Sequence, residues 1–307
     1  MSITAGLPMR IFRAEVTAVR TLTPGMVRIE FGGEGLSEFA STGVGDEYVR
    51  VFFPSEGCAE PVLPVVDGKS WSFPEGVERS PMRTYTIRDV RRDGPDRTTV
   101  VIDFVVHEGG VAAAWALRAG VGDVVGMNTP TGLYEPPAGL RWQVLLADST
   151  GLPAAARILE QAPAEVRTQV VFEVPSAEHE QPVSTGPLTE LSWVYGGNGH
   201  GRSQLDELLR GLELPDRDGS EGAGYIWVAG ESGALRAARK YLRHELGLPA
   251  TAYKTIGYWT DRAEQVRARF ERLDEGTKAW VRSVWSSDAT PEEREDEYVR
   301  RLESLGL

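Results

Sequence analysis

The hydrophobic period of this chain changes once, and the change falls at Glu135-Pro136-Pro137-Ala138-Gly139. Upstream, apolar and polar residues alternate. Ile11–Val19, Met26–Phe31, Tyr48–Phe53, Arg83–Arg88 and Thr98–Val106 read as strands, with turns at Thr23-Pro24-Gly25 and Asp93-Gly94-Pro95-Asp96. Residues 55–82, rich in Pro, Gly and Ser, read as a long connection. Short strands with regular turn signals predict a closed antiparallel barrel. Downstream, Gln143–Ala147 is a continuous apolar run, the mark of a parallel strand buried on both faces. A helix from Leu152 to Glu160 follows, with Pro153 in its first turn. Strands at Thr168–Val174, Ser192–Tyr195, Tyr225–Ala229 and Tyr253–Tyr258 then alternate with helices at Ser203–Arg210 and Gly233–His244. That order predicts a doubly wound α/β domain. Beyond it, Val266, Phe270 and Leu273 have helical spacing, Trp280, Val281, Val284 and Trp285 form a second apolar group, and Thr290-Pro291-Glu292-Glu293 is a capping box. The expected division is a barrel over residues 1–137, an α/β domain over 138–262 and a helical extension over 263–307, its tryptophans packed on the core.

Composition narrows the partners. The chain has 307 residues, long enough for two domains, with 33 Lys+Arg against 45 Asp+Glu and a net charge of -12. This balance argues against nucleic acid, whose phosphates need a basic face. An anionic substrate must be met by a local basic patch. Cys58 is the only cysteine, so there is no internal disulfide and no Cys-ligated iron–sulfur cluster; the four histidines are far apart, so no metal site is expected. No apolar run approaches the length of a membrane span and residues 1–10 lack a signal-peptide core. The expectation is a cytoplasmic protein without membrane insertion, a monomer or weak dimer.

Several segments carry chemistry. In Arg83-Thr84-Tyr85-Thr86-Ile87-Arg88, alternation puts Arg83, Tyr85 and Ile87 on one face and Thr84, Thr86 and Arg88 on the other. A guanidinium suits a pyrophosphate, a tyrosine ring offers a wall for a flavin, and a threonine can reach the flavin N5, where hydride arrives. On residue types alone the stretch reads equally as a flavin clamp or as an ordinary strand with solvated arginines. His107-Glu108-Gly109-Gly110 opens the helix Val111–Leu117, whose free N–H groups suit an anion or merely close the barrel. Two strand ends of the α/β half stand out, Asp148-Ser149-Thr150-Gly151 and Ala229-Gly230-Glu231-Ser232-Gly233. Each suits a nucleotide at the carboxyl end of a parallel strand, and each is equally a well-made turn. Gly196-Gly197-Asn198-Gly199-His200-Gly201 lacks the register of a phosphate loop and reads as a flexible connection. Arg236, Arg239, Lys240 and Arg243 share a helical stripe, Arg88, Arg91, Arg92 and Arg97 make a second basic group, and Lys254 precedes Gly257-Tyr258-Trp259.

Taken in order, these segments resemble the siderophore-interacting protein family, flavin-dependent ferric-siderophore reductases. The resemblance runs from about Phe12 to Trp259 and rests on Pro81–Arg88, on Asp103–His107 with Gly110 and Trp115-Ala116, on Asp148–Arg157, and on Trp227–Glu231 with Gly257-Tyr258-Trp259. It implies an N-terminal FAD-binding antiparallel β-barrel, a doubly wound α/β NAD(P)H-binding domain and a helical tail. It implies non-covalent FAD, with Arg83 on the pyrophosphate, Thr84 beside it, and Tyr85 and Thr86 as the catalytic pair against the flavin. His107 and the turn Gly110, Val111, Ala112, Ala113 with Trp115 hold the rest of the cofactor. Asp148, Ser149, Thr150, Gly230 and Glu231 complete the cofactor set toward NADPH or NADH, and Lys254, Arg236 and Arg88 are the candidate contacts for a ferric siderophore. Two departures stand out. The family's Gly-Pro-Ala-Ser run is here Gly110-Val111-Ala112-Ala113, so backbone N–H groups replace a serine contact, and His107–Trp115 is one residue short. The basic continuation after Gly257-Tyr258-Trp259 is replaced by Thr260-Asp261, leaving Lys254 as the nearest cation.

The chemistry fits. NAD(P)H gives two electrons as hydride whereas Fe(III) takes one, and a flavin converts one process into the other. Hard oxygen chelators hold Fe(III) better than Fe(II), so reduction loosens the metal. The alternatives are a flavin reductase with another acceptor, which Thr260-Asp261 keeps open, and a carrier that binds a ferric chelate without reducing it.

Overall fold

The computed structural model describes residues 6–68, 70–94, 97–106, 110–197, 203–215, 222–261, 266, 269–289 and 291–306. Two sheets organise it. Strands β1 (Ile11–Thr23), β2 (Met26–Gly32), β3 (Tyr48–Phe52), β6 (Met82–Thr86), β7 (Asp89–Arg92), β8 (Thr98–Val105) and β9 (Val124–Asn128) form a seven-stranded antiparallel sheet in the order β6-β3-β9-β1-β2-β8-β7. Its first and last strands are consecutive in the chain, separated only by Ile87 and Arg88. The Ile87 N–H donates to Glu47 O at 2.9 Å and the Arg88 N–H to Val101 O at 2.8 Å. That two-residue corner turns the sheet into a barrel. Phe12, Phe31, Phe53, Ile87, Phe104 and Trp115 fill the interior, with the Trp115 ring stacked 6.3 Å from Phe31 and 5.2 Å from Phe53.

Strands β10 (Leu140–Asp148), β11 (Arg167–Val174), β12 (Thr189–Tyr195), β13 (Ala223–Glu231) and β14 (Tyr253–Trp259) form the second sheet, all parallel, in the order β12-β11-β10-β13-β14. The order reverses between β10 and β13, the topological switch point at which such sheets hold ligands. Helices α3 (Leu205–Gly211) and α4 (Ser232–Lys240) cover one face through Val144, Leu146, Ile226 and Val228. Helix α2 (Leu152–Gln161) covers the other and is buried from Leu152 to Leu159, because the barrel lies on its far side. The expected barrel, doubly wound domain and helical tail are the observed architecture. The long connection also holds a hairpin, β4 (Val65–Asp67) with β5 (Ser70–Ser72), and β7 is a strand that the turn-rich sequence around it concealed.

The interface is polar at its centre and fully buried. Asp46 and Glu47, consecutive residues ahead of β3, are both 0% exposed. Glu47 pairs with Arg157 of α2 at 2.8 Å, and the same guanidinium donates to Ile87 O at 2.9 Å. Asp46 accepts from the Leu133 and Tyr134 N–H groups at 2.8 and 2.7 Å and from Trp227 Nε1 of β13 at 3.0 Å. Gly45 makes the approach possible, since a Cβ there would lie 2.6 Å from Ile158 Cγ1.

The tail departs from expectation. Helices Glu275–Arg282 and Pro291–Ser304 bury Phe270, Val281 and Leu302 in a small core of their own. Trp280 and Trp285 are 45% and 49% exposed and do not pack on the main core. Trp280 lies instead under the Arg301 guanidinium at 4.8 Å, and Trp285 beside Tyr298 at 5.4 Å. Among the described residues, no helix is long and apolar enough to cross a membrane.

Removing one partner of a buried ion pair leaves a stranded charge, at a cost of about 3–5 kcal/mol. Arg157→Met is expected to lower the unfolding free energy by about that amount in urea titration. Combining it with Glu47→Gln should lose less than the sum of the single losses, because the two residues share one interaction.

Candidate functional site

Among the described residues two strands of the barrel sheet, β6 and β7, have a neighbour on one side only; β6 pairs with β3 alone, and it is the one that carries Arg83–Thr86. Ile87 N and Pro81 O both point to the β3 side, so by alternation the backbone N–H and C=O of Thr84 and Thr86 face the open edge. Helix α1 (Val111–Arg118) starts nearby in the fold, its Trp115 ring 5.9 Å from Phe104 and Phe104 in turn 4.3 Å from Tyr85. Gly110 is its N-cap, with no side-chain cap and no acid in the first turn, so its first N–H groups stay available to an anion. Arg83 is exposed, donates to Met82 O at 2.8 Å and makes no ion pair among the described residues. By contrast Arg28 is spent on Asp103 and Arg91 on Glu30. An unpaired guanidinium, an uncapped helix start and free strand backbone fit the pyrophosphate and polar ring edge of FAD. Burial pushes the Tyr85 phenol well above its ordinary pKa, so the ring stays neutral.

The α/β domain presents its switch point to the same place. Asp148, at the end of β10, is 0% exposed. Its Oδ1 accepts from the Thr150 N–H at 2.8 Å and from the Thr150 hydroxyl at 2.5 Å, and its Oδ2 from Trp259 Nε1 at 2.7 Å. Burial raises its pKa against these donors. Gly230 has φ 157°, and a Cβ there would lie 2.4 Å from Asp148 Oδ2. Glu231 is buried and caps α4, accepting from the Ala234 N–H at 2.8 Å. Ser149 is 6% exposed, and its hydroxyl is buried without a partner among the described residues. An orphaned hydroxyl at a switch point fits a nucleotide ligand.

Tyr258 and Trp259 join the two walls. The Tyr258 hydroxyl lies 3.1 Å from Thr86 Oγ1 of the barrel, and the next residue holds Asp148. Thr86 and the Asp148 turn, 62 positions apart by number, are thus neighbours through two consecutive side chains of β14. The expectation that Tyr258 merely marks the last strand missed this role, and its adjacency to Trp259 was the available signal.

Other expected site residues lie elsewhere. Arg88 is a bidentate partner of Glu160 on α2 at 2.5 and 2.8 Å, 14% exposed, so it clasps the domains and is not free for substrate. The side chains of Trp115, Ala112 and Ala113 are 2–3% exposed and help to fill the barrel, whereas Val111 is 45% exposed; what this turn offers a ligand is its backbone N–H groups. Of the helical stripe, Arg239 is 5% exposed and donates to Thr255 Oγ1 at 3.0 Å, and Arg236 is half-buried. Lys254 is half-buried and its charge acts on buried Asp46. Thr84 is exposed on β6 and Thr150 caps the Asp148 turn. His107 and the segment around His200 lie outside the described residues.

An antiparallel barrel with an open edge strand, set against the switch point of a parallel sheet, defines the two-domain flavin oxidoreductase architecture. Comparison with known proteins narrows the class. The family models "Siderophore-interacting FAD-binding domain" and "Siderophore-interacting protein" match residues 15–134 and 140–262. The chain is 30% identical over 238 residues to ferric vibriobactin reductase ViuB of Vibrio cholerae, covering 76% of this chain and 83% of that protein. It is 28% identical to the NADPH-dependent ferric-chelate reductase of Escherichia coli, with 82% and 93% covered. A siderophore utilization protein from T. fusca superposes with a TM-score of 0.72 at 32% identity, covering 84% of this chain and 95% of that one. The chain belongs to the siderophore-interacting protein family.

The raised pKa of Asp148 has a consequence for stability. The folded state binds its proton more tightly than the unfolded state, so its stabilising contribution is full below about pH 4 and is lost as pH rises through the folded pKa. Asp148→Asn is expected to show a shallower fall in stability than the parent between acid and neutral pH, measured by denaturant titration across that range.

Proposed function

We propose that the protein is an NAD(P)H-dependent, FAD-containing reductase that releases iron as Fe(II) from a ferric siderophore. The observation that carries this reading is the pair of bonds from Tyr258 and Trp259, which draw the open edge of β6 and the β10 switch point to one cleft. Bound FAD would accept hydride from one side and pass single electrons to the other.

The residues of the chain then divide the work. Arg83 would hold the pyrophosphate, assisted by the N–H groups that start α1. The half-buried Tyr85 ring would give the flavin a flat wall, and Thr86 would offer its backbone and hydroxyl to the polar edge of the ring system. Ser149, Thr150 and the Gly230 turn receive the nicotinamide half, with Gly230 permitting close approach. No general base is needed for hydride or electron transfer. Lys254 and Arg236, both half-buried, are the candidate cations for an anionic chelate. Its Fe(II) form is held more weakly by hard oxygen ligands, so reduction is itself the release step. A cytoplasmic location agrees with use of NAD(P)H.

The test is the visible spectrum of the FAD-loaded protein under anaerobic conditions. Bleaching of the flavin bands by NADH or NADPH, their return on adding a ferric siderophore, and Fe(II) captured by a chromogenic chelator are the expected results. A flavin that bleaches but is not reoxidised by any ferric chelate would favour the other-acceptor reading. Loss of the charge-assisted contact in Arg83→Ala is expected to weaken FAD binding by about tenfold or more, read by flavin fluorescence titration.

A further inference from the structure

The hydrogen bond between Thr86 and Tyr258 joins the residue assigned above to flavin N5 to a phenol of the other domain. Thr86 is 7% exposed, its Oγ1 lies 3.1 Å from the Tyr258 hydroxyl, and among the described residues neither hydroxyl has a second hydrogen-bond partner. Burial, with the charges of Asp46 and Asp148 acting in the same direction, pushes the Tyr258 pKa far up, so the phenol stays protonated.

A hydroxyl carries one proton and two lone pairs. Oxidised N5 is an acceptor, and after hydride arrives N5–H is a donor. A solitary threonine can turn to meet either state, but its remaining donor or acceptor is then buried and unmade, which is costly. A second hydroxyl in contact gives Thr86 both a donor and an acceptor in either state and moves the unmade group onto the half-buried Tyr258. Toward oxidised flavin the chain runs from Tyr258 to Thr86 to N5. Toward reduced flavin it runs from N5–H to Thr86 to Tyr258. Phenols and alcohols both give and accept, so no atom has to move between the two arrangements except hydroxyl protons.

We propose that Tyr258 is a positioning residue that sets the direction of the Thr86 hydroxyl toward flavin N5 in both oxidation states, an inference that rests on the flavin reading above. It acts through Thr86 and does not touch the reacting atoms. It also ties the redox centre to the domain interface, since Thr86 and Tyr258 belong to different sheets.

The readout is the nitrogen NMR resonance of oxidised FAD, isotopically labelled at N5 and bound to the full-length protein. A pyridine-type nitrogen moves upfield as its hydrogen bond strengthens. Tyr258→Phe is expected to move N5 downfield, Thr86→Val to move it the same way, and the double variant to move it no further than Thr86→Val. Thr86→Ser, which keeps the hydroxyl, is expected to stay near the parent position. Difluorotyrosine at position 258, with fluorines flanking the hydroxyl, keeps the packing but donates more strongly. It is expected to move N5 upfield, and it decides the matter if Tyr258→Phe does not hold flavin. An N5 resonance indifferent to Tyr258→Phe or to the fluorinated residue, or shifts that add in the double variant, would overturn the proposal while leaving the reductase reading intact. Failure of the parent protein to take up FAD would overturn both.

Discussion

Two adjacent carboxylates with no exposed surface, Asp46 and Glu47, fix the geometry on which everything else depends. Moving a carboxylate out of water costs several kcal/mol even after relaxation, so each must be met by donors of matching number. Glu47 is met by Arg157, by the Ser41 and Thr42 hydroxyls and by the Thr42 N–H. Asp46 is met by two backbone N–H groups and the Trp227 indole. The donors come from both domains, and sliding the domains apart would strand at least one charge. A polar interface of this kind has one satisfied arrangement, whereas an apolar one would tolerate many.

That rigidity matters because the cleft has no slack. Trp259 reaches Asp148 only because Gly230 carries no Cβ, and Tyr258 reaches Thr86 only if β14 keeps its height relative to the barrel. The carboxylates at the ends of the parallel strands follow one rule. Asp148 holds Thr150 and Trp259, Glu173 holds Ser203 Oγ and the Gln204 N–H, and Glu231 caps α4. Their oxygens are spent on the protein itself. What this edge leaves open is the Ser149 hydroxyl, not a free acid, which suits an anion in an otherwise acidic chain.

Period and turn chemistry were enough to read the architecture. The change from alternating to continuous apolar runs around residue 137 separates the two sheets, and the strand-to-helix alternation beyond it requires a parallel sheet. The interface was not legible. Asp46 and Glu47 sit in an irregular stretch, and their partners Arg157 and Trp227 are more than a hundred residues away. Arg88 shows the same limit from the other side. Its place beside the flavin strand suggested a substrate contact, yet alternation turns it toward α2, where Glu160 is waiting. At Trp115 a packing role was equally hidden: the barrel needs a large ring to fill its centre, and nothing in the local sequence says which strand faces the ring would meet. In the tail, helical spacing was visible but not which face would be covered, and Trp280 was covered by Arg301 from a neighbouring helix.

The location of the site follows from how the barrel closes. A closed ring of strands has no free edge, and a ligand that hydrogen-bonds to backbone needs one. Here the ring is joined only at Ile87 and Arg88, where the chain passes from the β3 side to the β8 side. Immediately before that corner, β6 keeps one edge unpaired over Met82–Thr86. The same corner supplies Ile87 O to Arg157 and Arg88 to Glu160, so the α/β domain is anchored within two residues of the open edge. Barrel closure, domain docking and the ligand edge are therefore one feature of the backbone. A substitution that disturbs any one of them acts on all three. β7, the edge strand on the other side of the corner, has Arg91 spent on Glu30 and Arg92 on Phe39 O, so β6 is the edge that keeps an unpaired guanidinium among the described residues.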